Sequence, residues 1–445
     1  MKNFLLLLVL ALLLGSPARA QWTLQPFSFT SSFSPLPPFG IQAIHIVDAQ
    51  TVWTVAVSQY MGTNYGDNEV ARTSNGGTTW TVSTVPGMDF LDEIISNVAG
   101  LSASTALICT VNFAGPGRIM KTTDGGVTWT TQTTPTQYGS PDSYADFVLA
   151  FSPTEMLCVG DPIASLSNHF EMYRSLDAGL TWAAVASSTM PVALSGETAT
   201  PYHKARVGNH VWFTTNKGRV FHSADKGVTW TVSQTSLTNV GSVAFRDALN
   251  GLYAVPGGLV RTTDGGATWA PVAYAGPAHA SITAVPGTGN YLSAGQGTDA
   301  GSSSSRDNGT TWTAIETTLS HFDVAAFSPT VAWSAAVSYR TSGIFGLGAY
   351  KLTTTVLGTA APAPTAALLQ VFPNPSADGR FSVALPAGTV AESLTVLDGL
   401  GRAVLTQALA PAGHTTLDLA AQAPGLYTLL VRTGHGVAHQ QLVRE

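Results

Sequence analysis

Thirteen side chains with ligand-binding chemistry crowd into the first half of this sequence. Tyr60, Tyr65, Asp67 and Glu69 lie in QYMGTNYGDNEV (59 to 70), and Asp89, Asp92 and Glu93 in TVPGMDFLDEII (84 to 95). Tyr138, Asp142 and Tyr144 lie in TTPTQYGSPDSY (133 to 144), Glu197 and Tyr202 in ASSTMPVALSGETATPYH (186 to 203), and Asp161 in VGDPI (159 to 163). Tyrosine is a common contact residue at interfaces. Carboxylates can also hydrolyse a glycosidic bond, provided that two of them face each other across a cleft. Other chemistries find less support. The ten histidines are scattered, and the pairs His435/His439 and His203/His210 have no metal-ligand spacing, so no metal site is expected. There is no P-loop, EF-hand loop or G-x-S-x-G elbow, and no cofactor is expected.

A second set of acidic residues is periodic. The segments RTSNGGTTW, KTTDGGVTW, RSLDAGLTW, HSADKGVTW, RTTDGGATW and SSRDNGTTW end at Trp80, Trp129, Trp182, Trp230, Trp269 and Trp312. Gly and Thr columns are filled in all six copies, and the acidic column reads Asn75, Asp124, Asp177, Asp225, Asp264 and Asp307. A short acidic side chain can accept bonds from backbone N–H groups two residues on and so hold a tight turn. Asn75 keeps the oxygen this needs. The glycine supplies positive φ, and the tryptophan buries a large ring at the start of the outgoing strand. This chemistry is structural. The motif resembles the Asp-box, or bacterial neuraminidase repeat, a hairpin between the third and fourth strands of a β-propeller blade. The resemblance places the boxes on the blade periphery, away from any ligand pocket.

Neuraminidases need three arginines converging on a carboxylate, because the guanidinium fork bonds both oxygens. Here Arg72, Arg174, Arg261 and Arg306 belong to boxes, and Arg118 and Arg219 begin the strands leading into them. Only Arg206, Arg246 and Arg340 remain in the propeller, and there is no Arg-Ile-Pro motif, so the sialidase reading fails. Xyloglucan-cleaving propellers with this box use two tandem propellers, and this chain has room for one. The strand-then-TTDGGxTW unit of residues 41 to 355 more closely resembles photosystem II stability/assembly factor-like proteins. That resemblance implies binding to another macromolecule.

The elements that position these residues are strands. TVWTVAVS, TALICTVN, TEMLCVGD, NHVWFTTN, NGLYAVPG, GNYLSAGQ and TVAWSAAVS recur through residues 41 to 355. Seven units of about 45 residues suit four-stranded blades. The fold class is all-β: a seven-bladed β-propeller followed by a small immunoglobulin-like β-sandwich. The seventh unit lacks a box, but Gln21-Trp22-Thr23-Leu24-Gln25 reads like the strand after one. Residues 22 to 30 are therefore predicted to close the last blade against Gly348 to Thr355, with Trp22 as the seventh tryptophan. Cys109 in TALIC and Cys158 in TEMLC occupy matching contexts, which predicts buried free thiols in different blades, too far apart to bridge.

Lys2, the apolar run Phe4 to Leu14 and Ala18-Arg19-Ala20 read as a secretory signal peptide, residues 1 to 20, cleaved before Gln21. The propeller then spans residues 21 to 355 and an Ala/Pro/Thr linker residues 356 to 367. Residues 368 to 445 carry VFPNPS (Val371 to Ser376), GRF (Gly379 to Phe381), LTVLDGLGRAV (Leu394 to Val404), LDL (Leu417 to Leu419), PGLYTLLV (Pro424 to Val431) and QLV (Gln441 to Val443). These pieces resemble the type A C-terminal sorting domain of type IX secretion. They depart from its pattern at Gln441, where a lysine is common. The resemblance implies recognition by an outer-membrane translocon, removal of the tail and attachment to surface lipopolysaccharide.

Charged residues are only 10% of the chain and the net charge is −6. No basic stripe is present, so nucleic acid is not an expected partner. No later segment reaches the roughly 18 apolar residues of a transmembrane helix. The expectation is a monomeric, secreted or surface-exposed propeller that binds a protein or glycan. The alternative is a carbohydrate-active enzyme using carboxylates on the face opposite the boxes.

Overall fold

Short strands buried on both sides dominate the computed structural model. It describes residues 22–29, 40–60, 63–65, 68–88, 92–140, 143–340, 343–352, 370–384, 391–398, 403–408, 414–433 and 436–445. The chain divides into two compact units, residues 1–358 and 359–445. The proposed signal peptide and linker lie outside the described residues.

Blade 1 consists of Gly40–Ile46, Val52–Tyr60, Glu69–Thr73 and Thr81–Thr84. Blade 2 is Glu93–Gly100, Ala106–Asn112, Arg118–Thr122 and Thr130–Thr131. Blade 3 is Ala145–Ala150, Met156–Ile163, His169–Ser175 and Ala183–Ala184. Blade 4 is Ala199–Val207, His210–Thr215, Arg219–Ser223 and Thr231–Gln234. Blade 5 is Ser242–Phe245, Gly251–Val255, Gly258–Thr262 and Ala270–Pro271. Blade 6 is Ser281–Ala284, Tyr291–Gly295, Gly301–Ser305 and Thr313–Glu316. Blade 7 is His321–Ser328, Val331–Arg340 and Gly343–Leu352, completed by Trp22–Gln25 from the other end of the chain.

In that closure Trp22 lies opposite Leu352 and Gln25 opposite Ala349, antiparallel. Residues 353 to 355 of the expected partner segment lie outside the described residues. The second strand of each blade is sandwiched between neighbouring blades. In blade 2, Ala106 and Ile108 pack toward blade 1 while Leu107 and Cys109 pack toward blade 3. Both faces are therefore apolar, so these strands do not alternate between apolar and polar residues. Trp53, Trp212 and Trp333 fill second-strand positions with no exposed surface.

The recurring turns share one geometry. The Asp124 carboxylate accepts N–H bonds from Val127 at 3.0 Å and Thr128 at 2.9 Å, and a hydroxyl bond from Thr128 at 2.5 Å. The backbone donors thus stand three and four residues on, not two as the sequence suggests. A hydroxyl two residues before each acidic position carries a further bond. Thr122 Oγ1 accepts from Gly126 N at 3.0 Å, and Thr73, Ser175, Ser223, Thr262 and Ser305 do the same for their glycines. Gly126 sits at φ +92°. Asn75 makes the same turn, with Oδ1 accepting from Thr79 N at 2.9 Å.

These bonds make the turns acid-sensitive. Hydrogen bonds from the threonines hold Asp124, Asp177 and Asp264 at about 2, below the ordinary 3.8. A depressed carboxyl pKa contributes stability above its unfolded value and loses it as pH falls toward the folded value. The thermal midpoint is expected to drop between pH 4 and pH 2. A triple variant, Asp124→Asn, Asp177→Asn and Asp264→Asn, keeps the accepting oxygen but should show a shallower drop by calorimetry. An unchanged slope would remove the turns from the account.

The C-terminal unit has two sheets. One pairs Gln370–Phe372, Arg380–Ala384 and His414–Asp418; the other pairs Ala403–Ala408, Ala391–Leu397, Gly425–Thr433 and Gly436–Arg444. Phe381, Val383 and Leu417 from the first meet Leu394, Val396, Leu429, Val431 and Leu442 from the second, which makes a sandwich core. Asn374 Oδ1 accepts from Val443 N at 2.8 Å and its Nδ2 donates to Gln441 O at 2.7 Å. The VFPNPS and QLV segments thus meet, and Gln441 takes part through its backbone.

Candidate functional site

In an up-and-down antiparallel sheet, the turn after the second strand and the crossing to the next blade share one edge. The four long segments all leave from that edge, opposite the boxes. Blades 7 and 1 are joined there, with Gly343 opposite Tyr60 and Ile344 opposite Gln59. Thr63–Tyr65 adds a short strand against Ser58–Tyr60.

Several of the side chains at this edge face inward instead of forming a ligand-facing rim. Glu93 opens the inner strand of blade 2 and is buried. It accepts from Thr110 Oγ1 at 2.6 Å and Arg118 Nε at 2.8 Å, and pairs with Arg118 Nη2. Glu197 repeats the clamp in blade 4, with Thr215 Oγ1 at 2.6 Å and Arg219 Nη1 at 2.6 Å. In both blades a carboxylate at or just before the start of the inner strand ties the end of the second strand to the start of the third. The arginines that begin box-bearing strands are its partners, which the sequence left unassigned. Tyr138 is fully buried, its ring 5.1 Å from that of Tyr173. Glu69 is buried too.

Asp161 is buried and accepts from Ala199 N at 2.8 Å. Beside it stands Asp146 of the inner strand. Burial raises both carboxyls, Asp161 to about 6, and the neighbouring Asp161 charge raises Asp146 further.

The surface-accessible remainder is smaller. Asp92 is half-buried, as is Tyr144, whose ring lies 6.1 Å from that of Phe113, and Phe113 is 56% exposed. Tyr60, Tyr65 and Tyr202 lie in strands. Asp67, Asp89 and Asp142 lie outside the described residues. Phe113 was missed because a single aromatic in NFAGPG carries no periodic signal.

An axial cavity of about 450 Å³ is lined by all seven inner strands, from Ala43 to Ala326. Its charged lining is Lys204, Arg206, Arg246 and Asp323, with His45. Lys204 Nζ donates to Pro201 O at 2.7 Å and stands 5.1 Å over the Phe147 ring; burial lowers its pKa to about 8. Burial raises Asp323 to about 6 and, with Lys204 and Arg206 nearby, lowers His45 to about 4. Arg246 pairs with Asp247 at 3.4 Å. At neutral pH the cavity is cationic overall. Arg206 and Arg246 are two of the three propeller arginines that the box pattern leaves over. Among the described residues no cluster of His, Cys, Asp or Glu could hold a metal ion.

Residues 370–445 match the family model of the secretion system C-terminal sorting domain. The tail is a sorting domain. A sorting domain of this kind marks its chain for type IX secretion, to the cell surface or beyond it. Among the described residues, no helix is long and apolar enough to cross a membrane. No curated protein matches the chain.

Among solved structures, YCF48 from Cyanidioschyzon merolae superposes with a TM-score of 0.53 at 16% identity, over 76% of this chain and 99% of that one. YCF48 bound to D1 peptide gives 0.49 at 18% identity, over 77% and 100%. The GH74 enzyme of Niastella koreensis gives 0.28 at 15% identity, over 91% and 68%. The first of these shows the propeller fold and nothing about activity.

Proposed function

We propose that the propeller is a binding or scaffold module for a protein or glycan, carried to the cell surface by its sorting domain, and that it performs no chemistry of its own. The six turn motifs are read as Asp-boxes, and the signal peptide as the route to the periplasm. The observation that carries the reading is the commitment of the carboxylates. A glycoside hydrolase needs two carboxyls about 5–10 Å apart, facing a substrate. Glu93 and Glu197 are instead locked to arginines inside their blades. Asp146 and Asp161 are buried neighbours, each raised by burial, and do not stand on opposite walls of an open cleft. The long segments at the edge opposite the boxes, Tyr144 among them, together with the short turn of blade 2 that carries Phe113, form the proposed contact surface, since binding residues concentrate on loops held by a rigid scaffold.

The test is a panel of surface glycans and outer-membrane proteins incubated with the secreted chain. Saturable binding without new reducing ends is expected. Replacing Tyr144 and Phe113 by alanine together should weaken binding about tenfold or more. Sugar release that disappears on Asp→Asn substitution at Asp146 or Asp161 would replace this reading with the glycoside hydrolase one.

A further inference from the structure

The two cysteines of the chain sit on the second strands of blades 2 and 3, with their sulfurs 3.4 Å apart. This corrects the expectation that they lie too far apart to bridge. The reason is register. Ala106 of blade 2 and Met156 of blade 3 are equivalent, each opposite the hydroxyl residue two positions before the acidic box residue, Thr122 and Ser175. Counting from there, Cys158 is the equivalent of Ile108, not of Cys109. A one-residue offset turns a strand side chain to the opposite face. Cys109 therefore points forward to blade 3, Cys158 points back to blade 2, and they meet in the interblade core beside Leu107, Val148 and Met156.

We propose that Cys109 and Cys158 form a disulfide that staples blade 2 to blade 3 in the exported protein. Both are fully buried, and the chain has no other cysteine, so one pairing is possible. On the proposed export reading, the chain passes through an oxidising compartment, where disulfides persist. The oxidant is the disulfide of a thiol–disulfide oxidoreductase. The thiolate of one cysteine attacks a sulfur of that disulfide and expels one donor thiolate, leaving a mixed disulfide. The thiolate of the other cysteine then attacks the sulfur of the first and expels the second donor thiolate. One S–S bond forms and one breaks, two electrons pass to the donor, and the two thiol protons end on its thiols. Burial pushes the Cys109 thiol well above its ordinary value. The exchange therefore precedes full packing of the two blades, and closing the thiol contact to the roughly 2.05 Å of a disulfide completes the seam. The bridge closes a loop of about 50 residues, which restricts the unfolded chain.

The test uses the full chain recovered from the surface or medium of the secreting cells. It is unfolded with an alkylating reagent, with and without prior reduction, and weighed intact. The expected result is no label before reduction and two labels after it, with the untreated chain two hydrogens lighter than the dithiol. Reduction should also lower the thermal midpoint of the native chain and leave that of Cys109→Ser unchanged. One or two labels on the unreduced chain would overturn the proposal. The labelling result does not require any variant to fold.

Discussion

Replacing Trp22 by alanine is expected to cost about 3–5 kcal/mol of propeller stability, the range for truncating a large buried aromatic. Trp22 is only 4% exposed. Its ring packs between blades 6 and 7, against Val285, Leu292, Val324, Ala332, Tyr350 and Leu352, and lies 5.0 Å from the ring of His321. Its Nε1 donates to Ser302 Oγ at 2.8 Å, a bond that crosses from the first strand of the chain to blade 6. The substitution therefore opens a cavity at a blade interface and weakens the strand that closes the ring. Trp22→Phe separates the two effects: it keeps most of the apolar area and should lose about 1 kcal/mol with the hydrogen bond. Deleting residues 21 to 30 should be worse, because it bares the edge of Gly343–Leu352, and an unpaired edge is a template for aggregation. Denaturant unfolding followed by tryptophan fluorescence measures the first two, and light scattering the third. A Trp22→Ala chain within 1 kcal/mol of the parent would mean that the closing strand frays in solution and that the ring is held by the other blade interfaces.

Much of this architecture can be read from the sequence because blades repeat. Six copies of a turn expose the columns that the turn geometry requires, and a missing seventh copy directs attention to Trp22 at the other end. The hydroxyl column at Thr73, Thr122, Ser175, Ser223, Thr262 and Ser305 was equally visible. It carries no signal of its own because Thr and Ser are abundant throughout the chain, and their role appears only when Oγ meets the glycine N–H. What repetition cannot convey is facing. TALIC and TEMLC look like the same position, yet they differ by one residue in register, and only the strand pairing shows that their sulfurs touch. The site suffers from the same limit. Glu93 and Glu197 look like loop carboxylates in sequence, and nothing local shows that Arg118 and Arg219, more than twenty residues on, fold back to claim them. The axial cavity is less legible still, since its lining is assembled from short runs on seven inner strands that lie far apart in the chain, such as Ala43 to His45, Lys204 to Val207 and Asp323 to Ala326.

A chain truncated after Pro364 is expected to fold its propeller and to disappear from the cell surface, accumulating in the periplasm. The sandwich of residues 370–445 has its own core, with Phe381, Val383, Leu394, Val396, Leu417, Leu429, Val431 and Leu442 all fully buried. The propeller closes on itself, with Trp22–Gln25 paired to its last strand, and among the described residues the strands of its blades all come from within residues 22–352. Removing the tail is therefore expected to leave the described propeller sheets whole, with the circular dichroism and thermal midpoint of the propeller preserved. Export is expected to depend on the tail for a different reason: residues 370–445 match a secretion sorting domain, and under the proposed function the sorting domain, not its passenger, is what the secretion system recognises. A finer version of the test replaces Asn374 by alanine. That residue holds the closing strand through Val443 N and Gln441 O, 2.8 and 2.7 Å away. Losing both bonds should cost about 1–3 kcal/mol within the small sandwich and reduce the surface fraction without touching the propeller. Surface protease accessibility and periplasmic fractionation, read with an antibody to the propeller, measure both variants. A truncated chain that reaches the surface as fully as the parent would show that this sorting domain is not what exports it.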